Sequence, residues 1–282
     1  MKTEAAISVR PYTEYDQNRV RSAVGALGYD FQYRQITGTT MDDALSSERP
    51  TVWVADSQRN GRGRTGNRWE DTSKANVLVT VAVDRIKLSN PLLLPQLGAL
   101  AACRAARTVT KSDAPQIRWP YDLEIDGKKF GGVLVEQKVS ATGKPLTLIG
   151  VGMDVHDQSF PQFPWEAVAL EQVQGIESID RNALLIEFTK ELTSLLDIID
   201  IVDTDPQAYA TWNNIWIAHQ SLGGKHVIAE NIGPDKFGDV EGIARVPMLG
   251  RGLDLVTTGF DGLEKTVTVS SWNPLSLIRN LE

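Results

Sequence analysis

The chain is 282 residues long, 41% hydrophobic and 23% charged, with a formal net charge of −7: an ordinary soluble globular composition, long enough to bury a core without covalent staples. One cysteine, Cys103, and three histidines, His156, His219 and His226, exclude an internal disulfide and a Cys/His zinc cluster. The acidic balance argues against a general nucleic-acid binder, residues 92–103 are the longest apolar stretch and too short and interrupted to span a bilayer, and the opening MKTEAAISVRPYTEYD lacks the apolar core of a signal peptide, so a cytoplasmic protein is expected.

Residues 14–29 place Val20, Val24 and Leu27 on one helical face, and residues 31–37 alternate large and polar side chains. This predicts a helix feeding a half-buried strand. A short helix-compatible stretch follows Gly38-Thr39-Thr40, and residues 51–55 are apolar and β-prone enough for an interior strand. Residues 57–68 have no periodicity and read as a loop. Residues 76–83 form the next predicted strand, and residues 91–109 carry Leu94, Leu97, Leu100 and Ala101 at helical spacing, with Arg104 and Arg107 polar, as a helix packed on a sheet does.

Several strands are predicted in succession over residues 117–155. Asp126-Gly127 joins two of them, because both positions tolerate the positive φ that a type I′ turn requires, and residues 147–155 read as a central strand. Residues 179–199 form the clearest helix, with Asp180 as N-cap and Leu184, Leu185, Phe188, Leu192 and Leu195 on one face. A second helix is predicted over 205–216. From Gly223 onward short strands alternate with glycine turns, which suggests two domains, 1–222 and 223–282.

The most informative segment is GRGRTGNRW at 61–69. With Arg59 it concentrates Arg62, Arg64 and Arg68 in an acidic protein. Glycines allow close backbone approach and guanidinium groups bind phosphate or carboxylate oxygens in forks, so the segment suits a mobile lid over an anion, ordered by its ligand. By itself it suits a solvated, Arg-rich surface loop equally well. It is not a P-loop, and its glycine spacing does not open a helix as GxGxxG does.

Thr39-Thr40, then Gln58 with GRGRTGNRW, then RWPYD at 118–122, GKKFGGVLVE at 127–136 and IGVGMDV at 149–155 together resemble the biotin protein ligases. The likeness runs from about Thr37 to the end, and the segment before it is too short for the winged-helix domain of the repressor-type members. It implies an α+β fold, a mixed β-sheet flanked by helices (the biotin/lipoate ligase catalytic fold), followed by a small SH3-like β-barrel domain. The implied activity is ATP-dependent: biotinyl-5′-AMP forms first, and biotin then passes to a lysine of a biotin carboxyl carrier protein. ATP, Mg²⁺ and biotin are the implied small molecules, with no DNA, no membrane and a possible homodimer.

Carried over residue by residue, the resemblance assigns catalysis to Lys129, Arg62 and Arg64, which would supply positive charge where two anions meet. Biotin falls to Thr39, Thr40, Gln58, Gly61, Arg62, Lys129 and Gly132. The nucleotide falls to Arg64, Trp69, Arg118, Tyr121 and Asp154, and the metal to Asp122, since Mg²⁺ takes few carboxylates and keeps waters. Three positions depart from the family. Arg118 stands for its lysine, and Tyr121 and Asp154 stand for asparagines on the nucleotide side, where an ionised carboxylate accepts hydrogen bonds but donates none. These departures leave room for a divergent paralogue that binds biotin or another acyl acid with weak or no adenylation. A lipoate or octanoate transferase would carry a different glycine-rich signature, and no hydrolase triad is evident in the sequence.

Overall fold

The computed structural model describes residues 12, 14–160, 166–173, 176, 178–230, 239–258, 262–269 and 277–281. The expectations for residues 1–11, including the absence of a leader, lie outside the described residues.

The first helix, α1 (Gln17–Gly25), is shorter than predicted because Asp16 caps it, accepting from the Arg19 N–H at 3.0 Å. It leads into β1 (Asp30–Thr37), α2 (Thr40–Asp43), β2 (Thr51–Gln58) and β3 (Asn76–Asp84). After α3 (Leu93–Thr110) come β4 (Gln116–Arg118), β5 (Asp122–Ile125), β6 (Lys128–Val139) and β7 (Pro145–Asp154). These strands make one seven-stranded sheet in the order β1-β2-β3-β7-β6-β5-β4, with β1 parallel to β2 and every other pair antiparallel. The sheet is therefore mixed, as expected, and β3 and β7 occupy its middle. Between β5 and β6, Asp126 and Gly127 adopt φ of 50° and 77°, the two positive values of the predicted turn.

Alternation along β3 and β7 divides the molecule into two layers. Val77, Val79, Val81, Ile149, Val151 and Met153 join the main core beneath α3 and α4 (Arg181–Leu196). The intervening positions, Thr80, Gly150, Gly152 and Asp154, are small or polar and face α2 and the Arg-rich segment. Period-two patterning thus leaves one face of a central strand pair open for a ligand. The predicted helix over 179–199 divides in two: α4 ends at Leu196 and α5 (Ile199–Thr204) follows, before α6 (Pro206–Ile217), whose N-cap Asp205 accepts from the Gln207 N–H.

Five further strands, β8 (His226–Glu230), β9 (Val240–Ala244), β10 (Leu253–Thr258), β11 (Glu264–Val269) and β12 (Leu277–Asn280), form a second antiparallel sheet in the order β11-β10-β9-β8-β12. The expected barrel is an open sheet among the described residues, because β11 and β12 lie at opposite edges and do not pair. Parts of this expectation, residues 231–238, 259–261, 270–276 and 282, lie outside them. Its core of Leu222, Val227, Ala229, Leu253, Leu255 and Val269 closes over Trp119, in the turn between β4 and β5, whose indole N–H donates to the Arg251 carbonyl at 3.1 Å. No helix among the described residues is long and apolar enough to cross a membrane.

Candidate active site

A cavity of about 720 Å³ opens on the small-residue face of β3, β6 and β7. It gathers Thr39, Thr40, Gln58, Arg62, Arg64, Trp69, Arg118, Asp122, Lys129, Gly132 and Asp154 from segments far apart in the chain. Of the positions singled out in the sequence, Gly61 and Tyr121 lie just outside its lining.

At one end, side-chain hydroxyls and an amide are held in a fixed pattern. Thr39 caps α2, accepting from the Met41 N–H. Thr40 donates through its backbone N–H at 2.8 Å and its hydroxyl at 3.1 Å to Gln58 Oε1, and its Oγ1 lies 2.8 Å from Thr80 Oγ1. Gln58 is thereby oriented with its amide nitrogen toward Gly61, where an added Cβ would sit 3.2 Å from Gln58 Nε2 and 2.7 Å from the Trp69 carbonyl. Only a glycine lets the loop pass at this distance.

Part of the cavity floor is flat. The Trp69 ring lies against Gly152, where a Cβ would approach it to 2.6 Å, and Gly132 is paired with Gly152 across β6 and β7. A planar ring system thus finds an indole and a glycine floor here. The close-approach member of the Gly131-Gly132 pair is Gly131, which the sequence did not single out: its Cβ would meet the Gly152 carbonyl at 2.7 Å, whereas Gly132 has ordinary space.

Charge collects beside this floor, where a Cβ on Gly132 would lie 3.5 Å from both Lys129 Nζ and Asp122 Oδ1. Lys129 Nζ lies 2.9 Å from Asp122 Oδ1, on a hairpin whose backbone is pinned from outside: the Lys129 N–H donates to the Glu166 carbonyl and the Val168 N–H to the Lys129 carbonyl. Burial acts to raise the Asp122 pKa, but the charges of Lys129 and then Arg64 outweigh it and hold the carboxyl below its usual range. The Arg64 guanidinium stacks 4.5 Å from the centre of the Tyr121 ring, so Tyr121 holds a loop arginine over its face. Arg118 lines the cavity, yet its guanidinium donates to the buried Glu124 carboxylate and to the Gly127 carbonyl. It clamps the turn that carries Lys129.

Arg62 is forked between Asp42 at 2.8 Å and Glu136 at 3.1 Å. Asp154 accepts from the Asn76 amide and, at 3.2 Å, from Gln158; burial pushes its pKa well above the usual value. Asn76, Asp42, Glu124, Glu136 and Gln158 were not found by sequence reasoning. Asn76 alone left a trace, as an amide at the head of an otherwise apolar strand. No group of three or more metal-ligating side chains occurs among the described residues; Asp122 offers a single carboxylate beside the cationic cluster.

Residues 31–155 match the family described as Biotin/lipoate A/B protein ligase. The match covers less than half of the chain. Among curated proteins, the chain is similar to the bifunctional ligase/repressor BirA of Bacillus spizizenii, 30% identical over 171 residues that cover 56% of this chain and 51% of that protein. It is also similar to the biotin--[acetyl-CoA-carboxylase] ligase of Mycobacterium tuberculosis, 28% identical over 235 residues, 80% of this chain and 78% of that one. The matched region spans about half the length of the Bacillus relatives. Among solved structures, the Aquifex aeolicus biotin protein ligase in complex with biotin and ATP superposes with a TM-score of 0.70 at 19% identity, covering 89% of this chain and 98% of that one, so the ligase fold extends well beyond the matched segment.

Proposed function

We propose that this chain is an ATP-dependent biotin protein ligase, which forms biotinyl-5′-AMP and transfers biotin to a lysine of a biotin carboxyl carrier protein. The observation that carries this reading is the chemistry gathered in one cavity. A Thr39-Thr40-Gln58 end suits the polar ring of biotin, the Trp69-Gly152 floor suits a purine, and Lys129, Asp122 and Arg64 lie where the two anionic reactants would meet. The Aquifex ligase that shares this fold was solved in complex with biotin and ATP, which supports them as the ligands here.

In the first step a biotin carboxylate oxygen attacks the α-phosphorus, forming an acyl–phosphate bond as the bond to the β-phosphate breaks and pyrophosphate leaves. Lys129, on a rigid strand, and Arg62 and Arg64, on the loop, lower the barrier by positioning and by charge. In the second step the neutral amine of a carrier lysine attacks the acyl carbon; an amide forms, AMP leaves and the amine loses a proton. Mg²⁺ would neutralise phosphate charge, and Asp122, held ionised beside Lys129, fits the single carboxylate such an ion takes when phosphates and water complete its shell.

The likeness to ligases and the intact charge cluster favour this activity over a protein that only binds biotin. The same reading divides the chain at Leu222, with the second sheet docked on the RWPYD segment through Trp119. Biotin-dependent exchange of labelled pyrophosphate into ATP, with purified protein and Mg²⁺, is the test. Exchange with biotin and none with lipoate is expected; no exchange, with biotin still binding in a calorimeter, would overturn adenylation.

A further inference from the structure

Where the Arg-rich segment returns to the sheet, one buried amide touches both the segment and the cavity wall. Asn76 heads β3 and is fully buried, directly opposite Asp154 of β7. Its Oδ1 accepts from the Thr72 N–H at 3.0 Å, and its Nδ2 donates to Asp154 Oδ1. Its backbone carbonyl accepts from Arg181 Nη1 at 2.9 Å. Arg181, itself fully buried and ion-paired to Asp56 at 3.1 Å, anchors the amide from below. Thr72 and Asp154 both line the cavity, and Trp69 lies three residues before Thr72.

From this placement we infer that Asn76 is a positioning residue for the nucleotide half of the site, setting the returning limb that carries Trp69 in register with Asp154. The two contacts require opposite polarities from one short side chain: an acceptor for a backbone N–H and a donor for a carboxylate. An amide of this length supplies both. An acid would keep the first and set two carboxyl groups against each other, and an aliphatic residue would leave two buried polar groups unsatisfied. Asn76 makes no hydrogen bond to Thr40 or Gln58 and reaches that end only through the limb itself, where Asp71 accepts from the Gln58 N–H, so the larger effect falls on the nucleotide.

The inference rests on the ligase reading, and the experiment separates the two. Binding of a non-hydrolysable ATP analogue and of biotin is measured by calorimetry, alongside thermal unfolding and the KM values of the exchange reaction. Asn76→Asp is expected to weaken the ATP analogue at least about tenfold, with biotin affinity changed less than about twofold, the scale of one buried hydrogen bond lost with its partner left unsatisfied. Asn76→Ser, too short to satisfy both partners, should show the same selectivity and serves where Asn76→Asp does not fold. The exchanged double variant Asn76→Asp with Asp154→Asn again places one amide donor against one acid, and is expected to bind the analogue within about threefold of Asp154→Asn alone, since a complementary pair is restored.

Equal losses for biotin and for the ATP analogue would overturn the inference, leaving Asn76 a structural residue. So would a double variant that regains thermal stability without regaining nucleotide affinity. A wild-type protein that neither binds the analogue nor exchanges pyrophosphate would instead sink the ligase reading itself.

Discussion

Lys129 and Asp122 form an ion pair on the cavity wall, and the lysine sets the behaviour of the carboxyl. Removing the lysine takes away a cation aimed at the reacting phosphate, so Lys129→Ala is expected to slow biotin-dependent pyrophosphate exchange by at least about tenfold to a hundredfold. An unchanged rate would place the reacting phosphate elsewhere. The same substitution has a second signature. Because the folded Asp122 carboxyl titrates below its usual value near 3.8, its pairing stabilises the protein above that pH and the contribution is lost as the pH falls through the lower folded value. Lys129→Ala removes the main attraction that opposes burial, so acid unfolding followed by circular dichroism should begin at a higher pH than in wild type. An identical acid transition would show that Lys129 does not hold the carboxyl down. At this scale the sequence disclosed the residues that carry the family motifs, Thr40, Gln58, Trp69, Asp122 and Lys129, which do meet in one cavity. It did not disclose their partners. Asp42 and Glu136 fork Arg62 from 20 and 74 positions away, and nothing local in the chain marks such a contact.

Among the elements, the β5–β6 hairpin was the most legible, since Asp126-Gly127 dictates its turn and the turn fixes the register. What the sequence did not show is that the turn is also held by a side chain. Arg118 was expected to meet the nucleotide, and its guanidinium is committed to Glu124 and the Gly127 carbonyl. Arg118→Lys keeps the charge without the fork and leaves the buried Glu124 poorly satisfied. A stability loss of about 1–3 kcal/mol in urea unfolding is expected, with a fall in exchange rate that exceeds any change in biotin affinity. A variant as stable and active as wild type would mean that the clamp is dispensable. The Arg-rich segment poses a different question, because its ends are tied by the bonds of Trp69 N–H to Gly61 and of Gln58 N–H to Asp71 while Arg59 and Arg68 remain exposed. If ligand orders it, trypsin should cut near Arg62 and Arg64 more slowly with biotin present; equal cleavage with and without biotin would show that the segment does not respond to ligand.

For the molecule as a whole, the mixed sheet was legible from alternation and turn chemistry, whereas closure of the second sheet was not. Strand periodicity says which face is buried; it does not say whether two distant edges pair. Nor did the sequence show that Trp119, which sits beside the nucleotide-side motif, is fully buried in the core of the second sheet. Its replacement by alanine opens a large cavity and removes the bond to Arg251, so Trp119→Ala is expected to cost about 3–5 kcal/mol, read in urea unfolding. A cost below about 1 kcal/mol would show that the two sheets are held together elsewhere.

The forked Arg62 changes what kind of recognition this cavity can perform. A bare guanidinium captures any small anion, and its affinity falls steeply as salt screens the attraction. Arg62 already satisfies two carboxylates, so an arriving carboxylate must displace one ion pair to form another, and the net change in charge pairing is close to zero. Salt then weakens the starting state and the bound state alike. Binding becomes an exchange of partners, selected by shape and by the rest of the ligand: acetate or formate gains little by entering, while a longer acid with a ring to seat at Thr40 and Gln58 gains enough to win the fork.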